Sequence, residues 1–329
     1  MALRVGILGA GHMGTTHATL LARDERVKVT AVADTDAPRA ETLALRVGAK
    51  AVASLEAILD AGIEALFVTT PNTTHTAPVL AALAAGVHVF SEKPMATSLA
   101  EARQIRGAAA RGPGPGLYQV GHNRRFAPAY KAAKARLADG SLRVTSAHIK
   151  MNRGELEQPP WVGDRAVTGG FLYESTVHLL DMARWLLGEV AWVQVVGGTH
   201  VYREPDDFSM LLGFASGIHA AFTSCAHSTW LFPFERVELF GAHGALVTEE
   251  MERVQFAPGL RKPVQTQEFG PLPIPEKWGY AEEDRLFVEA VLTRGTPPVT
   301  AEDGYRAVEL VEACYRSLLR GERVTLPLL

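Results

Sequence analysis

Apolar and polar positions alternate along the first third of this chain in blocks of two kinds. Residues 5–8 and 27–33 are short apolar runs, each suited to a buried strand. The stretch between them opens on glycines and continues as a helix-like run. Asp36-Ala37-Pro38 then supplies an N-cap and an early proline, and Leu43, Ala44 and Val47 mark one face of a helix that stops at Gly48. A short strand is expected near 51–53, and Ser54 caps a helix closing near Gly62. Residues 65–70 read as a buried strand ending in Pro71-Asn72-Thr73-Thr74-His75. An apolar helix then stops at Gly86, and residues 87–91 form a strand running into Glu92-Lys93-Pro94. Ser98 opens the next helix. Strand and helix in alternation predict a parallel, doubly wound sheet.

Gly112-Pro113-Gly114-Pro115-Gly116 reads as a loop before a further strand at 117–121. The domain division falls just after that strand, giving residues 1–121 and 122–329. Pro128 begins a helix ending at Asp139-Gly140, and 144–150 reads as a long strand. The polar stretch 153–170, with Pro159-Pro160, reads as a loop, and 171–187 as a helix stopped by Gly188. The pattern then changes to strands at 191–196, 208–214, 218–226 and 236–240, with a hairpin loop at Ala215-Ser216-Gly217. Shorter strands are expected at 245–248, 254–256 and 264–268, and helices at 281–293 and 302–319. Strands joined by turns predict a largely antiparallel second sheet, so the whole chain reads as α/β followed by α+β.

A length of 329 residues suits about two domains, and 47% hydrophobic residues are enough for ordinary cores. The net charge of −3 lacks the basic footprint of a nucleic-acid partner. No segment approaches the roughly 18 apolar residues of a membrane span. The first strand follows without a basic region and an apolar signal segment, so no signal peptide is expected. The two cysteines, Cys225 and Cys314, lie far apart and read as buried thiols, which fits a cytoplasmic protein.

The glycines after the first strand are Gly9, Gly11 and Gly14, a G-x-G-x-x-G pattern. Gly9 permits the turn, Gly11 lets a pyrophosphate approach the backbone, and Gly14 lets the helix pack against the strand. The helix beginning at His12 and Met13 offers free N–H groups and its positive dipole end to a phosphate. Asp34 falls 20 residues beyond Gly14, the spacing at which a carboxylate meets the adenosine ribose hydroxyls. That carboxylate favours NAD over NADP, because it would repel a 2′-phosphate; the nearby Arg39 leaves NADP possible. Thr70, Pro71, Asn72 and His75, and Glu92 with Lys93, also follow strands at the carboxyl edge of the sheet, where ligands bind. Pro94 restricts Lys93 to extended conformations, which aims its side chain reproducibly.

Glu174, His178 and Asp181 are spaced by four and three within the helix at 171–187, which puts them on one face, continued by Trp185. A solvated stripe with a carboxylate–histidine pair, or a satisfied core histidine, is the plainer reading. A metal site is disfavoured, because catalytic zinc usually takes about three protein ligands and no second histidine cluster accompanies this one.

Taken together, Gly9 to Gly14, Asp34, Thr70-Pro71-Asn72 with His75, Glu92-Lys93-Pro94, Arg125-Phe126 with Pro128, Gly169-Gly170 before Glu174, His178 and Asp181, and Thr300-Ala301-Glu302-Asp303-Gly304 resemble the Gfo/Idh/MocA family (glucose–fructose oxidoreductase, inositol 2-dehydrogenase, rhizopine catabolism). The resemblance implies a Rossmann domain and a second domain whose open sheet makes dimers or tetramers. It implies NAD-dependent alcohol–ketone chemistry on a sugar or cyclitol. Lys93 would lie near the nicotinamide and the substrate hydroxyl, His178 would be the general acid/base, and Glu174 or Asp181 would orient its ring. Inositol dehydrogenases usually carry Asp where this chain has Glu174. Two alternatives are an NAD-binding sensor without turnover and a reductase of an imine or unsaturated substrate. Substrate contacts are expected from Asn123 and Arg124 after the first domain, Trp161 in the proline loop, Tyr173 beside Glu174, and Trp230. A sugar needs hydroxyl partners plus an apolar platform. His122 and His227 lie beside these positions in the chain.

Overall fold

The computed structural model describes residues 2–110, 116–154, 160–230 and 233–328. The expected loop at Gly112 to Pro115, and Pro159, lie outside them. The chain divides into two compact units, Met1–His122 with Tyr280–Val308, and Asn123–Gly279 with Glu309–Leu329.

The first unit is built on six parallel strands: β1 (Leu3–Leu8), β2 (Val27–Ala33), β3 (Lys50–Ala51), β4 (Ala65–Val68), β5 (His88–Glu92) and β6 (Tyr118–Gly121). Their spatial order is β3-β2-β1-β4-β5-β6. Between them run α1 (His12–Leu21), α2 (Ala37–Val47), α3 (Leu55–Asp60), α4 (Thr76–Ala84) and α5 (Leu99–Ala110). β4 reads Ala-Leu-Phe-Val and is buried at every position, which a parallel sheet covered on both faces requires. Asp36 and Ser54 cap α2 and α3 by accepting from Arg39 N and Ala57 N. β1 lies between β2 and β4, so the order of strands reverses there, and the crevice beyond their carboxyl ends is the ligand position of such sheets.

The second unit carries β7 (Val144–Gly154), β8 (Val190–Gly198), β9 (Asp207–Phe214), β10 (His219–Ser228), β11 (Glu235–Gly241), β12 (Gly244–Glu249), β13 (Arg253–Ala257), β14 (Gln265–Glu268) and β15 (Val324–Thr325). Their order is β14-β13-β12-β11-β7-β10-β9-β8-β15. β7 and β10 pair in parallel and every other pairing is antiparallel. The helices of the remaining chain are α6 (Pro128–Ala138), α7 (Arg165–Thr168), α8 (Val177–Leu187), α9 (Ile274–Lys277), α10 (Tyr280–Thr293) and α11 (Ala301–Arg320). On β7, Ala147, Ile149 and Met151 are buried while the alternating residues are more exposed, the period-two pattern of a sheet covered on one face.

Several expectations need correction. A single cut after residue 121 misses the return of α10, whose Phe287, Val288 and Val291 join Val5, Ile7, Leu21, Phe67 and Phe90 in the core of the first unit. β7 runs to Gly154 rather than stopping at Lys150, and the stretch taken as loop holds a 3-10 turn at Pro160–Gly163 and the short α7. The helix expected from Phe171 begins as a π turn, Leu172–Thr176, before α8. β15 and α9 were not expected; two and four residues are too few to leave a periodic signal.

Candidate active site

The candidate nucleotide site of the first unit is made by the loop between β1 and α1. Gly9 has φ +98, and a Cβ there would come within 2.7 Å of Thr69 O. A Cβ on Gly14 would stand 1.9 Å from Gly9 O, so only glycine lets α1 start this close to the strand. A Cβ on Gly11 would meet nothing within 4 Å. Gly11 is the N-cap of α1, no side chain caps that end, and no acidic residue lies in its first turn. Its N–H groups and dipole are therefore left for an anion. His12 is exposed and Met13 half-buried beside it.

Asp34, at the end of β2, accepts from Ala10 N at 2.6 Å through Oδ2 and from Asp36 N at 2.8 Å through Oδ1. Its carboxylate is thereby fixed beside the glycine loop. Arg39 Nη2 lies 3.0 Å from Asp36 and 3.9 Å from Asp34. The loops after β4 and β5 are joined by His75, which is fully buried. Its Nδ1 lies 2.8 Å from Pro94 O and its Nε2 2.8 Å from Thr70 O. Asn72 is also buried, in a 3-10 turn behind Pro71. Thr70 Oγ1 is buried with no hydrogen-bond partner among the described residues. An open backbone at Gly11, an uncapped helix end, a fixed carboxylate and an unused hydroxyl together fit a dinucleotide. His75 falls outside that set: with both ring nitrogens engaged, it positions loops.

Glu92 also differs from expectation. It is buried, and its Oε1 lies 3.0 Å from His17 Nε2 while its Oε2 accepts from Lys93 N at 3.0 Å. His17 Nδ1 lies 2.8 Å from Asp284 Oδ1 on α10. Burial alone would lower the His17 pKa, but Asp284 and Glu92 outweigh it and raise it well above the ordinary histidine value. Burial pushes Glu92 up, yet His17 and Lys93 hold it below the usual carboxylate range; Asp284 stays raised by burial. Glu92 therefore acts inside the unit, holding the backbone at Lys93, which is half-buried. The Lys93–Pro94 peptide is cis.

In the second unit, Gly169 (φ +82) and Gly170 (φ +110) turn the chain into the π turn Leu172–Thr176. Side chains pin that turn on three sides. Leu172 N donates to the Tyr315 hydroxyl at 3.1 Å, Thr176 Oγ1 pairs with Ser224 Oγ at 2.8 Å, and Arg153 Nη1 donates to Glu174 Oε1 at 3.2 Å and Ser175 Oγ at 2.8 Å. α8 then carries His178, 9% exposed. Of the stripe, His178 and Asp181 are buried, as is every residue from Val177 to Arg184, and Glu174 and Trp185 are half-buried, so it is not a solvated face.

Asp181 is held in a two-pronged pair: Arg125 Nε donates to Oδ2 at 2.7 Å and Nη2 to Oδ1 at 2.6 Å, with Arg184 3.6 Å from Oδ1. That geometry makes it an anchor for Arg125. Asn123 and Arg124, expected at the substrate, are buried in a 3-10 turn. Asn123 Nδ2 donates to Trp278 O at 2.8 Å, and Arg124 donates from Nε and Nη2 to Glu235 Oε2 at 3.2 and 3.0 Å. Tyr130 donates to the other Glu235 oxygen at 2.9 Å. These polar groups are spent on the interior. Tyr173 is buried near Tyr315, whereas Trp161 and Trp230 are exposed. His227 Nε2 lies 3.8 Å from Asp207 Oδ2. Two participants escaped the sequence reading. Arg153 lay at the edge of a presumed loop, and His17 looked like an ordinary helical residue; only its place three residues after Gly14 marks it. Among the described residues no group of three or more His, Cys, Asp or Glu side chains is arranged to hold a metal ion.

Comparison with known proteins accords with this layout. Residues 3–122 match an oxidoreductase family with an NAD-binding Rossmann fold, and residues 130–247 match the GFO/IDH/MocA C-terminal domain. The chain is 30% identical to an inositol 2-dehydrogenase of Saccharopolyspora erythraea, covering 98% of this chain and 94% of that protein. GenD2 of gentamicin A biosynthesis, solved with NAD, superposes with a TM-score of 0.85 at 27% identity, covering 99% and 97% of the two chains. A levoglucosan dehydrogenase solved with NADH and levoglucosan shares the fold, with a TM-score of 0.91 over 100% of both chains at 23% identity. The chain thus belongs to the GFO/IDH/MocA oxidoreductase family.

Proposed function

We propose that this protein interconverts an alcohol and a ketone on a sugar or cyclitol, with NAD as its cofactor. The observation that carries the reading is Lys93. It directly follows β5 of the sheet whose glycine loop fits a dinucleotide, on a backbone held by the buried Glu92. A sensor would have no use for a cation fixed there. The relatives named above, dehydrogenases of inositol and levoglucosan, support the substrate class.

Bound NAD supplies the hydride acceptor at nicotinamide C4, so the protein's own task is orientation and the movement of one proton. Asp34 accepts from the ribose hydroxyls and disfavours a 2′-phosphate. Lys93 donates to the substrate oxygen and stabilises the charge that develops on it. His178 takes the hydroxyl proton during oxidation and returns it during reduction, a task suited to imidazole, which titrates near neutral pH. Glu174, fixed by Arg153, lies one helical turn before His178. Asp181 acts at one remove, through Arg125.

A panel of inositols, sugars and keto-sugars, read by NADH absorbance, tests the assignment. Turnover of a polyol is expected. Silence across the panel with NAD bound would favour the sensor, and reaction only with imines or unsaturated compounds would favour the other reductase. The same reading places the protein in the cytoplasm, in keeping with two unbridged thiols. It also has the open face of the second sheet, where Val196 and Leu211 are 64% and 51% exposed, pack against a second copy.

A further inference from the structure

Arg153 lies on the same face of β7 as the buried Ala147, Ile149 and Met151. From there Nη1 reaches both Glu174 and Ser175 in the π turn. Trp230, in the turn after β10, lies beside Arg153: the guanidinium carbon is 5.8 Å from its ring centroid. A Cβ on Gly154 would come within 2.5 Å of Trp230 Cδ1, so the indole rests on the strand itself. Phe234 packs edge-on against that indole at 5.5 Å. Trp230 is nevertheless 47% exposed, while the Arg153 and Glu174 side chains are 23% and 11% exposed. A half-exposed aromatic plane therefore stands beside an ion pair largely withdrawn from water, on the turn that leads into the helix of His178.

We propose that Arg153, Glu174 and Trp230 form a subsite that selects electrically neutral polyhydroxylated substrates over sugar acids and amino sugars. The inference rests on the polyol reading above and names its substrate class. The two charges compensate each other across 3.2 Å. A ligand carboxylate could pair with Arg153 only in competition with Glu174, leaving one negative charge uncompensated in a poorly hydrated place. A ligand ammonium meets the same obstacle from Arg153. Hydroxyl groups bring no net charge and can still donate and accept, and the indole offers a flat surface to the C–H face of a ring.

The test uses the full-length protein with NAD and three probes: a neutral sugar such as glucose, its acid glucuronate and its amine glucosamine. Rates come from NADH absorbance and folding from circular-dichroism melts. Wild type should favour the neutral sugar. Glu174→Gln exposes the Arg153 charge and should raise kcat/KM for glucuronate relative to glucose by about tenfold or more; Arg153→Gln should do the same for glucosamine. Trp230→Ala unpairs no charge and serves if either variant fails to fold: it should raise KM for the neutral sugar by about tenfold with NAD affinity unchanged. Unchanged rankings in folded charge variants, or an unchanged KM in Trp230→Ala, would overturn the inference and leave the polyol reading standing. No turnover of any sugar, keto-sugar or inositol by wild type would remove that reading, and the inference with it.

Discussion

Gly11 and Gly14 stand three residues apart and are needed for different reasons, which substitution can separate. Gly14→Ala drives a methyl group into Gly9 O and should cost about 1–3 kcal/mol of stability, seen in a denaturant melt. Gly11→Ala has room in the protein alone. Its melt should move little, while NAD affinity by calorimetry falls by about tenfold or more because the methyl group occupies the pyrophosphate's approach. Asp181→Asn breaks a buried charge pair and should destabilise by about 3–5 kcal/mol. A stable Asp181→Asn protein defective only in turnover would return Asp181 to the catalytic group. These roles were unequally legible in the sequence. Glycine spacing is a backbone signal and survives without structure. Arg124–Glu235 and Arg125–Asp181 did not, because a lone charged residue reads as surface unless its partner, about 110 or 56 positions away, is seen beside it.

At the scale of elements, α1, β5 and α10 meet through His17, Glu92 and Asp284. The folded pKa of His17 is raised, so the folded state holds its proton where the unfolded chain has lost it. Its contribution is full below the ordinary value of 6.5 and is lost as pH rises through the raised value. Thermal stability of wild type should therefore decline with rising pH above about 6.5, and His17→Gln should lack that slope. Equal slopes in both proteins would mean that His17 is neutral in the fold. Strands and helices of the first unit were legible because each is a short apolar run closed by a cap or a glycine. The π turn was not: one extra residue in a turn leaves the apolar pattern unchanged, and what holds it, Arg153, Ser224 and Tyr315, comes from elsewhere in the chain.

For the whole molecule, the sequence showed two architectures but not that the chain returns to the first. An amphipathic helix such as α10 declares that it has an apolar face, and nothing in it says which sheet the face will cover. The open face of the second sheet gives a test at this scale. Leu211→Arg replaces an exposed apolar side chain of that face with a charge and should lower the mass seen by light scattering if a second copy packs there. An unchanged mass would remove that face from the assembly.

The role proposed for His178 is to move the proton of a polyol oxidation. Its most direct measurement is turnover of the best polyol by His178→Asn, read by NADH absorbance beside an NAD titration of the same sample. The expected kcat is lower by about 10² or more, with NAD affinity retained. Turnover that survives the substitution, with NAD bound as in wild type, would contradict it.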